Sequence, residues 1–196
     1  MLNLGKEMGF KTKNIDGYCG YIEFGEGEEL VGIIGHLDVV PANDGWTFPP
    51  FSATIFDNKI YGRGAIDDKG PVIASLYAMK TILDTCKIHK RIRLILGLNE
   101  ENSWECINYY KKHEESPSIG FSPDADFPCI YAEKAILSSC ISLDYNYYNQ
   151  KDIYIEEIDC NNNPLNVVPK FCSITLKINN DKISIDSLIK NIKNSI

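Results

Sequence analysis

The stretch Leu30-Val31-Gly32-Ile33-Ile34-Gly35-His36-Leu37-Asp38 decides the fold prediction. Its first six residues are apolar or glycine, which is typical of a strand buried on both faces of a sheet. Residues 92–98 have the same character and predict a second buried strand. Between these two segments, residues 71–86 place apolar side chains at helical spacing. Alternating strands and helices predict an α/β fold, arranged as an α/β/α sandwich with a mostly parallel sheet.

Shorter patterns predict the remaining elements. Further strands are predicted at residues 18–24, 53–56, 59–61, 129–133 and 136–143. Asp57-Asn58 separates two of these strands and indicates a β-hairpin. Residues 104–113 favour a helix, with Ser103 or Asn102 as its N-cap.

The character of the chain changes after about residue 144. Residues 145–149 and 161–164 are polar and turn-prone. Residues 171–178 alternate like a half-exposed strand, and residues 184–196 have helical spacing. We therefore place a domain transition near 145–165. The resulting domains are residues 1–150 and residues 151–196.

The composition restricts the classes of partner. The 196 residues carry a net charge of -7, which argues against binding to nucleic acid. No apolar run approaches the length of about 18 residues that spans a bilayer, and the first residues lack the features of a signal peptide. The seven cysteines include no C-x-x-C pair, a pattern that predicts reduced thiols in a cytoplasmic protein.

Several acidic residues and one histidine lie where predicted strands or loops end. His36 and Asp38 follow the first buried strand, and Asp67-Asp68 lies in a glycine-rich loop before the predicted helix. Glu100-Glu101 follows the second buried strand, and Asp124 follows another short strand. Each cluster alone is also typical of a solvated turn. Because ligands bind outside the carboxyl ends of strands in open α/β sheets, the four clusters together predict one site.

The residue types of this site suit zinc, which binds imidazole and carboxylate groups. Two metal ions about 3.5–4 Å apart can polarise a carbonyl and produce hydroxide at neutral pH. Such chemistry needs a bridging carboxylate, terminal ligands, and a carboxylate that remains unbound to act as general base. The sequence therefore indicates a two-metal hydrolytic site.

The clusters stand in motifs that resemble those of M20 metallopeptidases, and most closely PepV-like dipeptidases. The motifs are Gly35-His36-Leu37-Asp38-Val39-Val40-Pro41, Asp44-Gly45-Trp46, Gly62-Arg63-Gly64, Asp67-Asp68-Lys69-Gly70-Pro71, Asn99-Glu100-Glu101 and Phe121-Ser122-Pro123-Asp124-Ala125. The resemblance runs from about residue 9 to about residue 178. It implies a zinc-peptidase-like catalytic domain in residues 1–150 and the start of a lid domain in residues 151–196.

The resemblance also implies a role for each matching residue. The implied zinc ligands are His36, Asp67, Glu101 and Asp124. Asp67 would bridge two zinc ions, for which cobalt or manganese could substitute, and Asp124 would share one ion with His36. Glu100 would be the general base in hydrolysis of a dipeptide by hydroxide that the zinc ions hold. Asp38 would orient His36, and the Asp67–Asp68 peptide bond is expected to be cis.

The chain also departs from the family pattern. Family members supply a further histidine from near their carboxyl end, together with a complete lid, and begin with a helical segment before the position of Met1. We therefore expect a fragment truncated at both ends, with little peptidase activity by itself. Two alternatives remain open, a related amidohydrolase that deacylates N-acyl amino acids and a non-catalytic remnant that binds metal. Complementation by a separate polypeptide is a further possibility, and the oligomeric state stays undetermined.

Overall fold

The computed structural model describes residues 1–126, 130–135, 137, 139, 152–160, 171–180 and 183–194. The chain divides into two compact units, Met1–Glu133 and Lys134–Ile196. The predicted boundary near 145–165 falls largely outside the described residues and stays a prediction. Within the described ranges, no helix has the length and apolar character needed to cross a membrane.

The first unit combines a central sheet, a small hairpin and three helices. Its elements are α1 (Leu2–Glu7), β1 (Lys11–Ile15), β2 (Cys19–Gly25), β3 (Leu30–His36), β4 (Thr54–Phe56), β5 (Lys59–Tyr61), α2 (Gly70–Thr85), β6 (Arg91–Gly97), α3 (Glu105–His113) and β7 (Ile119–Phe121). A wide helical turn, Ala65–Lys69, leads directly into α2. The predicted strand at 129–133 is wrong for residues 130–133, and that at 136–143 lies mostly outside the described residues.

The central sheet has the strand order β1-β2-β6-β3-β7. β3 pairs in parallel with both β6 and β7, whereas β2 is antiparallel to β1 and β6. Four of the five strands therefore point in one direction, and the sheet is mixed. A short turn joins β1 to β2, and a short connection can link only antiparallel neighbours. The α/β class is confirmed, with β2 as the reversed strand.

Helices cover both faces of this sheet. On one face, Leu94 and Leu96 of β6 pack with Val72, Leu76 and Met79 of α2, and α1 adds partly buried side chains. On the other face, Ile95 packs with Cys106 and Tyr110 of α3. Successive side chains of a strand point to opposite faces, so a continuous apolar strand serves both layers. The predicted α/β/α sandwich is thus present.

The predicted hairpin forms between β4 and β5. Phe56 pairs with Lys59, and the two turn residues between them, Asp57 and Asn58, have φ angles of 49° and 57°. Positive φ at both central residues is the mark of a type I′ turn, whose twist matches that of a hairpin.

The second unit contains β8 (Ile153–Asp159), β9 (Ser173–Ile178) and α4 (Ile185–Lys193). The two strands form an antiparallel ladder with one irregularity between Ile155 and Glu157. α4 begins after Ser184, whose side chain accepts a hydrogen bond from the backbone N–H of Ser187. The strand and the helix predicted within 171–178 and 184–196 are both present.

Candidate metal centre

Parallel pairing brings the clusters to one edge of the sheet. His36, the last residue of β3, lies opposite Gly97, the last residue of β6. The loops that leave these two strands therefore begin side by side. The loop after β7 is tied to β3, because the Ser122 hydroxyl donates to the carbonyl of Ile34 at 2.9 Å and accepts from the backbone N–H of Asp124 at 3.4 Å.

The imidazole of His36 is buried and faces two carboxylates through one nitrogen. Its Nε2 atom lies 2.9 Å from Oδ1 of Asp67 and 3.5 Å from Oδ2 of Asp124. Only 1% of the His36 surface is exposed, whereas the Asp67 side chain is 61% exposed. One nitrogen can donate at most one hydrogen bond, so two carboxylates beside it indicate a place for a shared cation.

Asp38 contacts His36 from the opposite side. The Nδ1 atom of His36 lies 3.0 Å from the backbone carbonyl oxygen of Asp38 and 3.4 Å from its carboxylate Oδ1. The other carboxylate oxygen, Oδ2, accepts the backbone N–H of Glu101 at 3.1 Å. Asp38 therefore links the orientation of the imidazole to the position of the loop after β6.

Asp68 is a site residue that the sequence reasoning did not select. It is completely buried, and its Oδ2 atom accepts the backbone N–H of His36 at 3.1 Å. The peptide bond that joins Asp67 to Asp68 is cis, as the resemblance implied. Nothing in the local pattern separates the buried carboxylate from its exposed neighbour, so adjacency to Asp67 was the only available signal.

The described residues form two groups that could hold metal ions. His36, Asp67 and Glu101 form one group, and His36, Asp68 and Asp124 form the other, with ligand atoms within 4.8 Å of one another in each. The structure thus brings all four predicted ligands together and adds Asp68. His36 belongs to both groups, although the resemblance placed Asp67 in the bridging position.

Glu100 lies beside a small cavity of about 20 Å³, which His36, Asp124 and Trp104 also border. Such a volume holds roughly one water molecule.

Trp104 has a left-handed backbone with φ of 57° and is about half exposed. The predicted caps of α3 are wrong, because Trp104 is the N-cap residue and the Asn99 side-chain oxygen accepts from the backbone N–H groups of Ser103 and Glu105 instead.

The electrostatics show an excess of negative charge around one imidazole. Burial alone would lower the pKa of His36, but the hydrogen bond to Asp67 and the charges of Asp124, Glu100 and Asp38 raise it above its ordinary value. Burial raises the pKa of Asp68 to about 6, against a weaker opposing effect of its hydrogen bond from His36. Burial also raises the pKa values of Glu100 and Asp124, and neighbouring carboxylates add to both shifts.

A divalent cation fits this environment. Oδ1 of Asp68, a member of one of the two groups, is buried and has no hydrogen-bond partner among the described residues. Buried carboxylate oxygens are normally paired or bound to metal, since an unpaired charge is costly to bury. One imidazole and several carboxylates form a donor set that zinc, cobalt or manganese would accept.

Carboxylates and a histidine that meet outside the carboxyl ends of parallel strands in an α/β/α sandwich form a candidate site for divalent metal ions. The comparison with known families is more specific. The model described as Peptidase family M20/M25/M40 matches residues 32–187, so the chain belongs to this family, as its motifs predicted.

Curated relatives carry dipeptidase names. The chain is 53% identical over 142 residues to "Putative dipeptidase YtjP" of Bacillus subtilis, a match that covers 72% of this chain and 31% of that protein. It is 51% identical over 138 residues to "Putative dipeptidase" of Staphylococcus epidermidis, covering 69% of this chain and 29% of that protein. The chain thus spans a little under one third of the length of these relatives.

Solved structures of peptidases share the fold. An M20 family metallo-carboxypeptidase, Sso-CP2 of Sulfolobus solfataricus, aligns with 27% identity and a TM-score of 0.54 over 63% of this chain and 31% of that chain. Human carnosine dipeptidase 1 aligns with 28% identity and a TM-score of 0.50 over 57% of this chain and 27% of that chain. Both likenesses confirm the predicted fold class.

Proposed function

We propose that this chain carries the metal-binding half of a dipeptidase active site, in which His36, Asp67, Glu101 and Asp124 bind two zinc ions. The observation that carries the proposal is the convergence of these side chains, from the end of β3, the turn before α2 and the loops after β6 and β7, into two groups around His36. The dipeptidase names of relatives at 53% and 51% identity support a dipeptide as the substrate.

The residues of the site have different proposed roles. Asp38 and Asp68 fix His36, one through its imidazole and the other through its backbone N–H. When bound, zinc ions polarise the scissile carbonyl and lower the pKa of a water molecule. Asp67 is the proposed bridging ligand, and cobalt or manganese could occupy the same donor set.

Glu100 is the proposed general base. Glu100 borders the small cavity beside His36, and burial together with neighbouring carboxylates raises the pKa of its carboxyl group. A raised pKa brings a carboxyl group closer to the working pH, where proton transfer is most efficient. A carboxylate oxygen of Glu100 would take a proton from the attacking water and return it to the nitrogen of the leaving amine.

The chain by itself is expected to be a weak peptidase. The proposed bridging carboxylate of Asp67 is 61% exposed, so the centre is open to solvent on that side. Catalysis by charge stabilisation depends on a site that excludes water and places donors around the developing oxyanion. A cytoplasmic location is also proposed, because the seven cysteines of the sequence include no C-x-x-C pair, a pattern typical of reduced thiols.

The test is zinc stoichiometry measured by mass spectrometry of the metal after dialysis. His36→Ala and Asp67→Ala should lose zinc, whereas His89→Ala, which removes an exposed histidine outside the centre, should keep it. Unchanged zinc in both site variants would contradict the assignment. Glu100→Gln should keep zinc and abolish any residual dipeptide hydrolysis.

Substrate assays separate the alternatives. Cleavage of N-acyl amino acids in preference to dipeptides would favour the deacylase. Zinc binding without hydrolysis of either substrate would favour the metal-binding remnant.

A further inference from the structure

Cys160 and Cys172 lie side by side where the β8–β9 ladder ends. The last register pair of this ladder is Asp159 with Ser173, so the two cysteines occupy the next opposed positions. Their Sγ atoms are 3.3 Å apart, and Cys160 is placed to donate to Cys172. The sulfur atoms of a disulfide are about 2.05 Å apart. Rotation of the two side chains that brings the sulfur atoms about 1 Å closer would therefore join them.

We propose that Cys160 and Cys172 form a reversible disulfide that links β8 to β9. Opposed residues of an antiparallel pair have Cβ atoms about 4.5–5.5 Å apart, close to the span of about 3.5–4.5 Å that a disulfide needs. The ladder therefore places the two cysteines so that a small adjustment can join them.

The pair is accessible to a small oxidant. Cys172 is exposed and Cys160 is partly exposed, whereas Cys19 and Cys106 are buried in the core of the first unit. Cys86 is also exposed, and its sulfur lies 3.4 Å from the hydroxyl oxygen of Thr85. Cys86 therefore provides an internal control, an accessible thiol whose observed neighbour cannot form a disulfide.

The reaction is thiol–disulfide exchange with a small-molecule disulfide, RSSR. The thiolate of one cysteine attacks RSSR, which forms a mixed disulfide and releases one RS⁻. The second cysteine, as thiolate, attacks the sulfur of the first, which forms the Cys160–Cys172 bond and releases a second RS⁻. The two thiol protons leave with the two RS⁻ groups, and the cysteine pair loses the two electrons that RSSR gains.

Equilibration in mixtures of reduced and oxidised glutathione tests the proposal. Free thiols are trapped with N-ethylmaleimide, and intact mass and peptide maps are recorded. We expect the intact mass to fall by two hydrogen atoms and the peptide map to contain a peptide that joins Cys160 to Cys172. Cys86 should carry maleimide or glutathione. In urea the same bridge should form with an equilibrium constant lower by about tenfold or more, because unfolding removes the effective concentration that the ladder provides.

Serine variants define the partners. Cys160→Ser and Cys172→Ser should each abolish the bridge and leave a mixed glutathione disulfide on the remaining cysteine, and Cys86→Ser should change nothing. A bridge from either cysteine to Cys129 or Cys140 would overturn the proposal. So would separate glutathione adducts on Cys160 and Cys172, or equal bridging in the folded and the urea-unfolded chain.

Discussion

The imidazole of His36 is held through both nitrogens, and this determines which nitrogen can bind a metal ion. The backbone carbonyl of Asp38 can only accept, so Nδ1 carries the proton that it receives at 3.0 Å. The lone pair of Nε2 then faces the carboxylates of Asp67 and Asp124. Without metal a second proton relieves this repulsion, which explains the raised pKa of His36, and metal binding must displace that proton.

Asp38→Ala should weaken zinc binding without removing a proposed ligand. The substitution removes the acceptor of the Glu101 N–H and the carboxylate beside Nδ1 of His36. Loss of a partner that orients metal ligands typically lowers metal affinity by about 10–100-fold. Competition with a fluorescent zinc chelator measures the change. Asp38→Asn keeps an oxygen acceptor for Glu101, so it should lose less affinity; equal losses in both variants would contradict this role.

Gly35→Ala should damage both stability and the metal centre. A Cβ atom at this position would lie 2.5 Å from Cγ2 of Val72 and 2.7 Å from Oδ2 of Asp68. Overpacking of this kind costs about 1–3 kcal/mol of unfolding free energy, and it would push Asp68 away from the N–H of His36.

Urea unfolding and zinc titration measure the two effects of Gly35→Ala. Gly97→Ala is the matched control on the adjacent strand, because its Cβ would meet nothing closer than the Cys106 sulfur at 3.3 Å. Equal stability and zinc affinity in Gly35→Ala and the parent chain would refute the steric account.

At the scale of elements, sequence patterns were sufficient to predict β2, β3, β6 and α2. Each of these elements has a long apolar run, or apolar residues at helical spacing, that packs in the core. α1 was not predicted, since six residues are too few for a helical period to emerge. The cap of α3 was misassigned because its acceptor is Asn99, before the residues that usually cap. The burial of Asp68 was equally unpredictable, because it depends on the path of the turn Ala65–Lys69 over the end of β3.

The β2–β6 ladder carries a buried ion pair that only its register reveals. Glu23 lies opposite Arg93, whose Nε donates to the Glu23 carboxylate at 2.6 Å and whose Nη1 donates to the Tyr110 hydroxyl at 2.7 Å. The guanidinium group also lies 4.0 Å from the ring centre of Tyr21. The pair therefore joins the sheet to α3 on the face opposite α2.

Glu23→Ala should destabilise the first unit by about 3 kcal/mol, the lower end for breaking a buried pair, because the buried Arg93 charge keeps only the more distant carboxylate of Glu114, 3.9 Å from Nη1. Chemical denaturation followed by circular dichroism measures the loss. Glu29→Ala is the control, since the Glu29–Lys90 pair is exposed and such pairs contribute about 0–1 kcal/mol. A Glu23→Ala effect as small as that of Glu29→Ala would show that Arg93 finds another partner.

At the scale of the whole molecule, one topological feature accounts for the centre. β3, β6 and β7 are parallel neighbours, so the residues that follow them leave the sheet at the same edge. Asp38, Glu101 and Asp124 come from these three loops, and the turn before α2 adds its two aspartates. Sequence alone located the residues at strand ends, but the strand order and the two groupings around His36 required the fold.

Zinc should stabilise the folded chain by mass action, and the dependence on His36 should show where it binds. A ligand at about 100 times its Kd adds about 2.7 kcal/mol to the unfolding free energy when it binds only the folded state. Thermal unfolding with zinc and with a chelator measures the shift within each variant, so a lower starting stability does not confuse the comparison. His89→Ala should keep the full shift and His36→Ala should lose it. Exposed thiols also bind zinc, so Cys160→Ser is the control for binding at the second unit. We expect its thermal shift with zinc to match that of the parent chain. A shift that depends on Cys160 and survives in His36→Ala would place the ion in the second unit.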